Sequence, residues 1–184
     1  MSPTGADHVH NIHDTGFVSE VGIEDMQAFG ILEPLPADDL SAAKVRLMKV
    51  VTEFSLLKNM LGMCLFLPYN AKTVVDIVRA VTGWNTSLFE LMKGAERGMA
   101  MARAYNRLEG LNAMDDRMPE RFFEPFSRGP LKGKAHNHEE FQKAVETFYE
   151  MSGWDPVLGA PNRAKLEDLG LSWVADLLEE EAPA

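Results

Sequence analysis

The sequence predicts an all-α fold, an irregular bundle of about five helices. Three observations support this prediction. Apolar residues recur at intervals of three and four over long stretches, which is the spacing of one buried helix face. Typical helix-capping or helix-ending residues flank these stretches. No stretch shows the apolar–polar alternation that would indicate a strand.

The two helices nearest the middle of the chain are predicted from their ends. A helix of about six turns covers residues 40–61, with Asp38 or Asp39 as its cap and Gly62 after it. A second helix covers residues 70–83, opening at an asparagine and ending at a glycine.

The later helices follow the same logic. Ser87 and Glu90 form a capping box for a third helix that ends near Gly110. A fourth helix runs from about His138 to Gly153, "NRAKLEDLGL" is a short fifth, and the final "EEEAPA" is predicted to be a frayed acidic tail.

The chain is predicted to consist of two parts. Residues 1–37 are rich in glycine and proline and are expected to form a loop-like, histidine-rich segment, whereas residues 38–184 form a C-terminal α-helical domain. Within that domain, residues 111–137 carry three phenylalanines among prolines and glycines. This stretch is expected to lay aromatic rings over the helical core.

Composition narrows the class of function. The net charge of −10 and the pI of about 4.9 argue against binding to nucleic acid or to anionic membranes. No run of apolar residues approaches the ~18 that a membrane-spanning helix needs. The polar first residues lack the apolar core of a signal peptide, and a single cysteine fits a reducing compartment. The expected location is the cytoplasm.

Two stretches carry residues suited to metal chemistry. "HVHNIHD" places His8, His10 and His13 within six residues, followed by Asp14, which is compatible with a transition-metal site or with a polar surface loop. "LLKNMLGMCLF" holds Cys64, the only cysteine, just after a helix and a glycine. From spacing alone this thiol is a small core residue, a nucleophile or one ligand of a metal centre.

Several segments resemble the tungsten-containing aldehyde ferredoxin oxidoreductase family. "SPTGADHVHNIHDTGF" is similar to a family stretch that brings a histidine next to the metal. "NMLGMCLF" resembles the family motif Asp-x-x-Gly-Leu-Cys-x-Phe, and "ETFYEMSGWDPVLGAPNRAKLEDLGL" resembles the end of family chains. The resemblance covers nearly all of residues 2–171, in the family's order, and corresponds to roughly the last third of such an enzyme.

This resemblance implies a role for five residues. His8 would lie beside tungsten, where it would hydrogen-bond the substrate carbonyl or move a proton. Cys64 would be the fourth ligand of a [4Fe–4S] cluster, whose other three cysteines lie on a part absent from this chain. Asn59, Gly62 and Met63 would approach the pyranopterin. Asn59 replaces the usual aspartate and Met63 the usual leucine, and the first change puts the substrate range in doubt.

The resemblance therefore implies a C-terminal fragment or split subunit of an enzyme that converts an aldehyde and water to a carboxylic acid. Two pyranopterins would hold the tungsten (or molybdenum), and electrons would pass through the cluster to ferredoxin. The missing N-terminal domain or upstream subunit is the expected partner, and the isolated chain is expected to be inactive. The alternative is a stand-alone helical module that binds a metal or docks a partner.

Overall fold

The structure, a computed structural model, describes residues 4–5 and 13–180. Over these residues the fold is all-α, as the sequence predicts, and the elements follow in chain order: α1 (Glu20–Ile23), α2 (Ala42–Met60), α3 (Ala71–Thr82), α4 (Leu88–Leu108), α5 (His138–Ser152), β1 (Trp154–Asp155), β2 (Ala160–Pro161), α6 (Arg163–Asp168) and α7 (Ser172–Glu180). Short 3₁₀ turns add to these at Asp14–Phe17, Glu24–Phe29, Ala113–Asp115 and Glu120–Phe122.

The four long helices begin and end close to where the sequence predicts. The Asn70 side chain accepts a hydrogen bond from the Thr73 backbone N–H at 2.9 Å and caps α3. Ser87 and Glu90 form the expected capping box of α4. The cap of α2 differs from the prediction, because Ser41 rather than an aspartate accepts the N–H of Lys44.

Helix α4 lies at the centre of the fold and contributes to three apolar clusters. It packs against α2, α3, α7 and the hairpin strand β2. The first cluster joins α2, α3 and the start of α4 to Ile23, Met26 and Ile31. The second gathers α5 and Trp154 around Met99, and the third packs the C-terminal helices against the last turns of α4.

The first segment of the chain is more ordered than the sequence predicts. Residues 14–29 form 3₁₀ and α-helical turns rather than a loop, and Ile23 is fully buried. Ser19 caps α1, and apolar residues spaced three apart turn inward, so this segment completes the first cluster. The division of the chain into residues 1–37 and residues 38–184 stays a prediction.

Two other expectations are corrected in the C-terminal half. Helix α7 buries Val174 and Ala175 and extends to Glu180, whereas residues 181–184 of the predicted frayed tail lie outside the described residues, so the tail stays a prediction. A two-residue antiparallel hairpin pairs Trp154 with Pro161, where no strand was expected. In the stretch 111–137, Phe123 packs edge-to-face against Phe141 of α5, whereas Phe122 and Phe126 are exposed.

Candidate functional site

The turn after α2 positions the residues that the sequence singles out. The Gly62 N–H donates to the Asn59 carbonyl at 3.0 Å, and the Met63 N–H donates to the Lys58 carbonyl at 2.9 Å. This pair of bonds is a Schellman motif, which needs a left-handed residue at its centre. Gly62 supplies it, with φ of +67°. The motif reverses the chain and fixes the direction in which it leaves the helix.

Met63 and Cys64 point to different environments. Met63 is half-buried and packs against the first apolar cluster, which is the apolar contact that usually accompanies a Schellman motif. Cys64 is the next residue and is exposed. Its carbonyl accepts the Leu67 N–H at 3.3 Å, which closes a turn behind the thiol. The interpretation of Cys64 as a core thiol is therefore wrong.

Asn59 and Gly62 lie on the same turn as Cys64. Asn59 is exposed in the last turn of α2. A Cβ atom added at Gly62 would meet nothing within 4 Å, so the space above this backbone is open. Gly62 is thus required by its backbone conformation and leaves room for another molecule to approach the chain closely.

Apolar residues on both sides of Cys64 in the sequence are exposed. The side chain of Phe66 is 92% exposed, and Met60, Leu61 and Leu67 are exposed to between 38% and 53%. We call these four residues the Phe66 surface. Four exposed apolar side chains within eight residues are typical of a surface that another protein part covers.

The histidine-rich stretch is only partly described. His8 and His10 lie outside the described residues, so their predicted roles stay predictions. Asp14, directly after His13, pairs with Lys44 at 2.8 Å, and the Lys44 side chain is 7% exposed. The sequence does not mark Lys44 as a functional residue, although its spacing from Leu47 and Val51 places it on the inward face of α2.

The side chains available as metal ligands fit one ligand position of an iron–sulfur cluster. Over residues 4–5 and 13–180, no group of three or more His, Cys, Asp or Glu side chains is placed to hold a metal ion. The whole sequence has one cysteine. Because a cubane cluster takes about four thiolates, this chain can contribute Cys64, and any further cysteine ligands must come from outside these 184 residues.

Comparison with known proteins decides the family. The family model described as aldehyde ferredoxin oxidoreductase, domains 2 and 3, matches residues 1–171. The chain belongs to the aldehyde ferredoxin oxidoreductase family. Within the described part of this family member, no helix is long and apolar enough to cross a membrane.

The curated relatives are much longer than this family member. It is 32% identical over 138 residues to the tungsten-containing aldehyde ferredoxin oxidoreductase of Thermococcus kodakarensis, and 30% identical over 138 residues to that of Pyrococcus furiosus. These matches cover 73% of this chain and 22% of each relative. A shorter match of 57 residues, at 46% identity, covers 31% of this chain and 9% of the WOR-like subunit of an aliphatic sulfonate oxidoreductase from P. furiosus.

A solved structure supports the fold. The active-site complex BamBC of benzoyl coenzyme A reductase superposes with a TM-score of 0.60 and 22% sequence identity. The superposition covers 74% of this chain and 21% of that one. At this identity the likeness concerns the fold alone.

Proposed function

We propose that this chain forms the part of a tungsten- or molybdenum-dependent aldehyde ferredoxin oxidoreductase that supplies Cys64 to a [4Fe–4S] cluster. The observation that carries the proposal is an exposed thiol on a fixed turn, in a chain of this family. In the reaction, an aldehyde and water give a carboxylic acid, two protons and two electrons, and the electrons leave through the cluster to ferredoxin. The metal and its pyranopterins supply the redox chemistry when bound.

Cys64 suits a cluster shared between two protein parts. A ligand that completes such a cluster must lie on the surface and hold one position, because the other thiolates come from elsewhere. The Schellman motif and the Leu67–Cys64 backbone bond fix that position. The ligand also needs a reduced, deprotonated sulfur, so a cytoplasmic location is part of the proposal.

Asn59, Gly62 and Met63 are proposed to face the pyranopterin. The Asn59 amide is exposed and can both donate and accept hydrogen bonds, although it lacks the charge of an aspartate. The open space above Gly62 admits a ligand close to the backbone. Met63 contributes its backbone, because its side chain packs against the core.

The Phe66 surface is proposed to bind the part that carries the pterin site and the other three cysteines. That part lies on another chain or elsewhere in a longer protein. Covering Phe66 and its three neighbours would remove apolar area from water and would exclude water from the thiol, which influences the potential of a cluster. Alone, the chain is expected to associate through this surface and to show no aldehyde-dependent dye reduction.

His8 is proposed to act on the substrate. An imidazole has a pKa close to neutrality, so it can hydrogen-bond the aldehyde carbonyl or move a proton during formation of the acid. The family resemblance of the stretch around His8 supports this role, and Asp14, further along the same stretch, pairs with the buried Lys44 near the start of α2.

Thiol labelling tests the proposed interface. The chain should be labelled at Cys64 by iodoacetamide when alone, and protected when it is co-expressed with a family pterin domain that carries Cys-x-x-Cys-x-x-x-Cys. Ala164→Cys provides a second exposed thiol on α6 as an internal control. Peptide mass spectrometry then reads both positions in one sample.

The expected result is loss of label at residue 64 with unchanged label at residue 164. Equal labelling of both thiols in the complex would contradict the proposal. Protection of both would show a general loss of access, and the control would then be repeated at Ser172, which is exposed on α7.

A further inference from the structure

One cavity is lined by no residue of the turn that carries Cys64. It has a volume of about 310 Å³ and lies between the N-terminal half of α2, the Asp14–Phe17 turn, the chain before α2, and residues near the start of α5. Its walls are mostly apolar and include Phe17, Leu47, Met48, Val51, Met118 and Phe141. An apolar wall of this kind is typical of a small-molecule site.

The one amine in this wall is already paired. Lys44 is 6% exposed, and its Nζ donates to Asp14 Oδ1 at 2.8 Å. The charges of Lys44 and Asp14 offset each other, so the ammonium group offers little attraction to an anionic ligand. The pair nevertheless places two polar groups beside an apolar volume.

Two further carboxylates line the cavity, Asp38 and Asp39, so that together with Asp14 three carboxylates face a single lysine, Lys44, and no arginine among its lining residues. Asp39 accepts hydrogen bonds from the Ser41 N–H at 2.8 Å and the Ser41 hydroxyl at 2.7 Å. Although burial raises the pKa of Asp39, these hydrogen bonds and the positive charge of Lys44 hold it below its ordinary value, so Asp39 is ionised at neutral pH. Asp38 adds a second carboxylate; its side chain is exposed, and that of Asp39 is partly exposed.

We propose that this cavity binds an uncharged molecule with an apolar body of about one aromatic ring and disfavours the corresponding carboxylate. Engineered cavities of about 150 Å³ already hold benzene, so the volume is sufficient for a ring with a short substituent. The excess negative charge repels an anion.

The role of the cavity in the reaction rests on the proposed function: a neutral aldehyde would enter the cavity, and the carboxylate product would be repelled from it. The binding preference itself does not depend on the reaction. It can therefore be measured on the full chain without any cofactor.

Benzamide and benzoate are matched probes because they have nearly the same shape and differ in charge. Saturation-transfer NMR at low salt should detect benzamide, and benzoate should bind about ten-fold more weakly. Raising the salt concentration should reduce the difference in affinity between benzamide and benzoate, because salt screens the repulsion of the anion. Asp38→Asn should strengthen benzoate binding about three-fold, whereas Asp25→Asn, an exposed aspartate outside the cavity, should not.

A cavity-filling variant locates the binding. Met48 is 36% exposed and lines the cavity, whereas Met101 is 40% exposed on α4 and does not. Met48→Trp should abolish benzamide binding, and Met101→Trp should preserve it. Circular dichroism checks that both variants fold.

Equal binding of the two probes, no binding of benzamide, or benzamide binding that survives Met48→Trp would each overturn the inference. The proposed function has a separate readout. If the assembled enzyme oxidises benzaldehyde with an unchanged KM in Met48→Trp, the role of the cavity in the reaction is overturned and the proposed function stands. If benzamide binds as described but the assembled enzyme oxidises no aldehyde, the function fails and the cavity stands.

Discussion

Arg103 of α4 and Asp116 form an ion pair in which both side chains are buried, with exposed fractions of 5% and 7%. Nη1 donates to Oδ1 at 3.2 Å, and Nη2 donates to Oδ2. The Tyr149 hydroxyl donates to the same carboxylate, and Arg103 Nε donates to the Gly159 carbonyl. Burial and the hydrogen bond to Asp116 raise the pKa of Tyr149. The cluster ties α4 to α5 and to the hairpin.

Asp116→Asn should reduce the free energy of unfolding by about 3 kcal/mol, because it leaves a buried guanidinium without its counter-charge. Asp176→Asn is the matched control. Asp176 pairs with Arg163 at 2.7 Å, but the two side chains are 62% and 40% exposed, so its loss should cost about 0–1 kcal/mol. Urea unfolding at pH 7 measures both values, and similar costs for the two variants would contradict the importance of the buried pair.

Asp116→Asn should also change how the stability of the protein depends on pH in the acidic range. Although burial opposes it, the pKa of Asp116 is lowered, and Tyr149 and Arg103 are among the groups that lower it. A lowered folded pKa gives stability that is fully present above the unfolded pKa of about 4 and is lost as the pH falls through the folded value. The stability gap between the wild type and Asp116→Asn should therefore narrow below about pH 4.

Alanine substitutions at two glycines distinguish the effect of backbone strain from the effect of contact with a partner. Gly62 and Gly83 both follow a helix with φ near +70°, and an added Cβ would meet nothing within 4 Å at either. Gly62→Ala and Gly83→Ala should each cost about 1 kcal/mol of stability in the isolated chain.

Assembly with the pterin domain should distinguish these two variants. Gly62→Ala should weaken the complex, because a methyl group would lie where the partner approaches, whereas Gly83→Ala should leave its affinity unchanged. Isothermal titration calorimetry provides the comparison. Equal affinities would show that no partner approaches Gly62 closely.

The ends of the long helices could be predicted because their signals are local. Gly62, Gly83 and the Ser87–Glu90 box act within one turn of the chain, and the structure confirms them. The hairpin could not be predicted, since two residues per strand give no alternation to detect. The Arg103–Asp116 pair depends on how a turn packs against α4, which the sequence spacing does not reveal.

Some features of the candidate site could likewise be predicted from the sequence, and others could not. The position of Cys64 after a helix and a glycine is visible in the sequence, but its exposure depends on Met63 turning toward the core instead. The sequence does not reveal the cavity beside Lys44, because its walls come from separate parts of the chain and Asp14, the partner of Lys44, is 30 residues away. The sequence alone shows neither the pairing nor the cavity.

His8→Asn should reduce turnover of the assembled enzyme by roughly 10²–10⁴-fold, because it removes an acid–base group while retaining a hydrogen-bonding side chain. The electron paramagnetic resonance spectrum of the cluster should be unchanged. His138→Asn is the control, because His138 is exposed at the start of α5 and does not line the cavity, and this variant should retain most of the activity. Full activity in His8→Asn would contradict a role for this imidazole in the reaction.

The most direct test of the account is the cluster of the assembled enzyme in the Cys64→Ser variant. Serine is nearly the same size but gives a harder ligand with a shorter bond, so the helices should remain folded while the cluster is lost or changes its potential. Electron paramagnetic resonance during a redox titration measures both the spectrum and the midpoint potential. We predict a shifted potential or a missing signal. An unchanged spectrum and potential would show that Cys64 is not a cluster ligand.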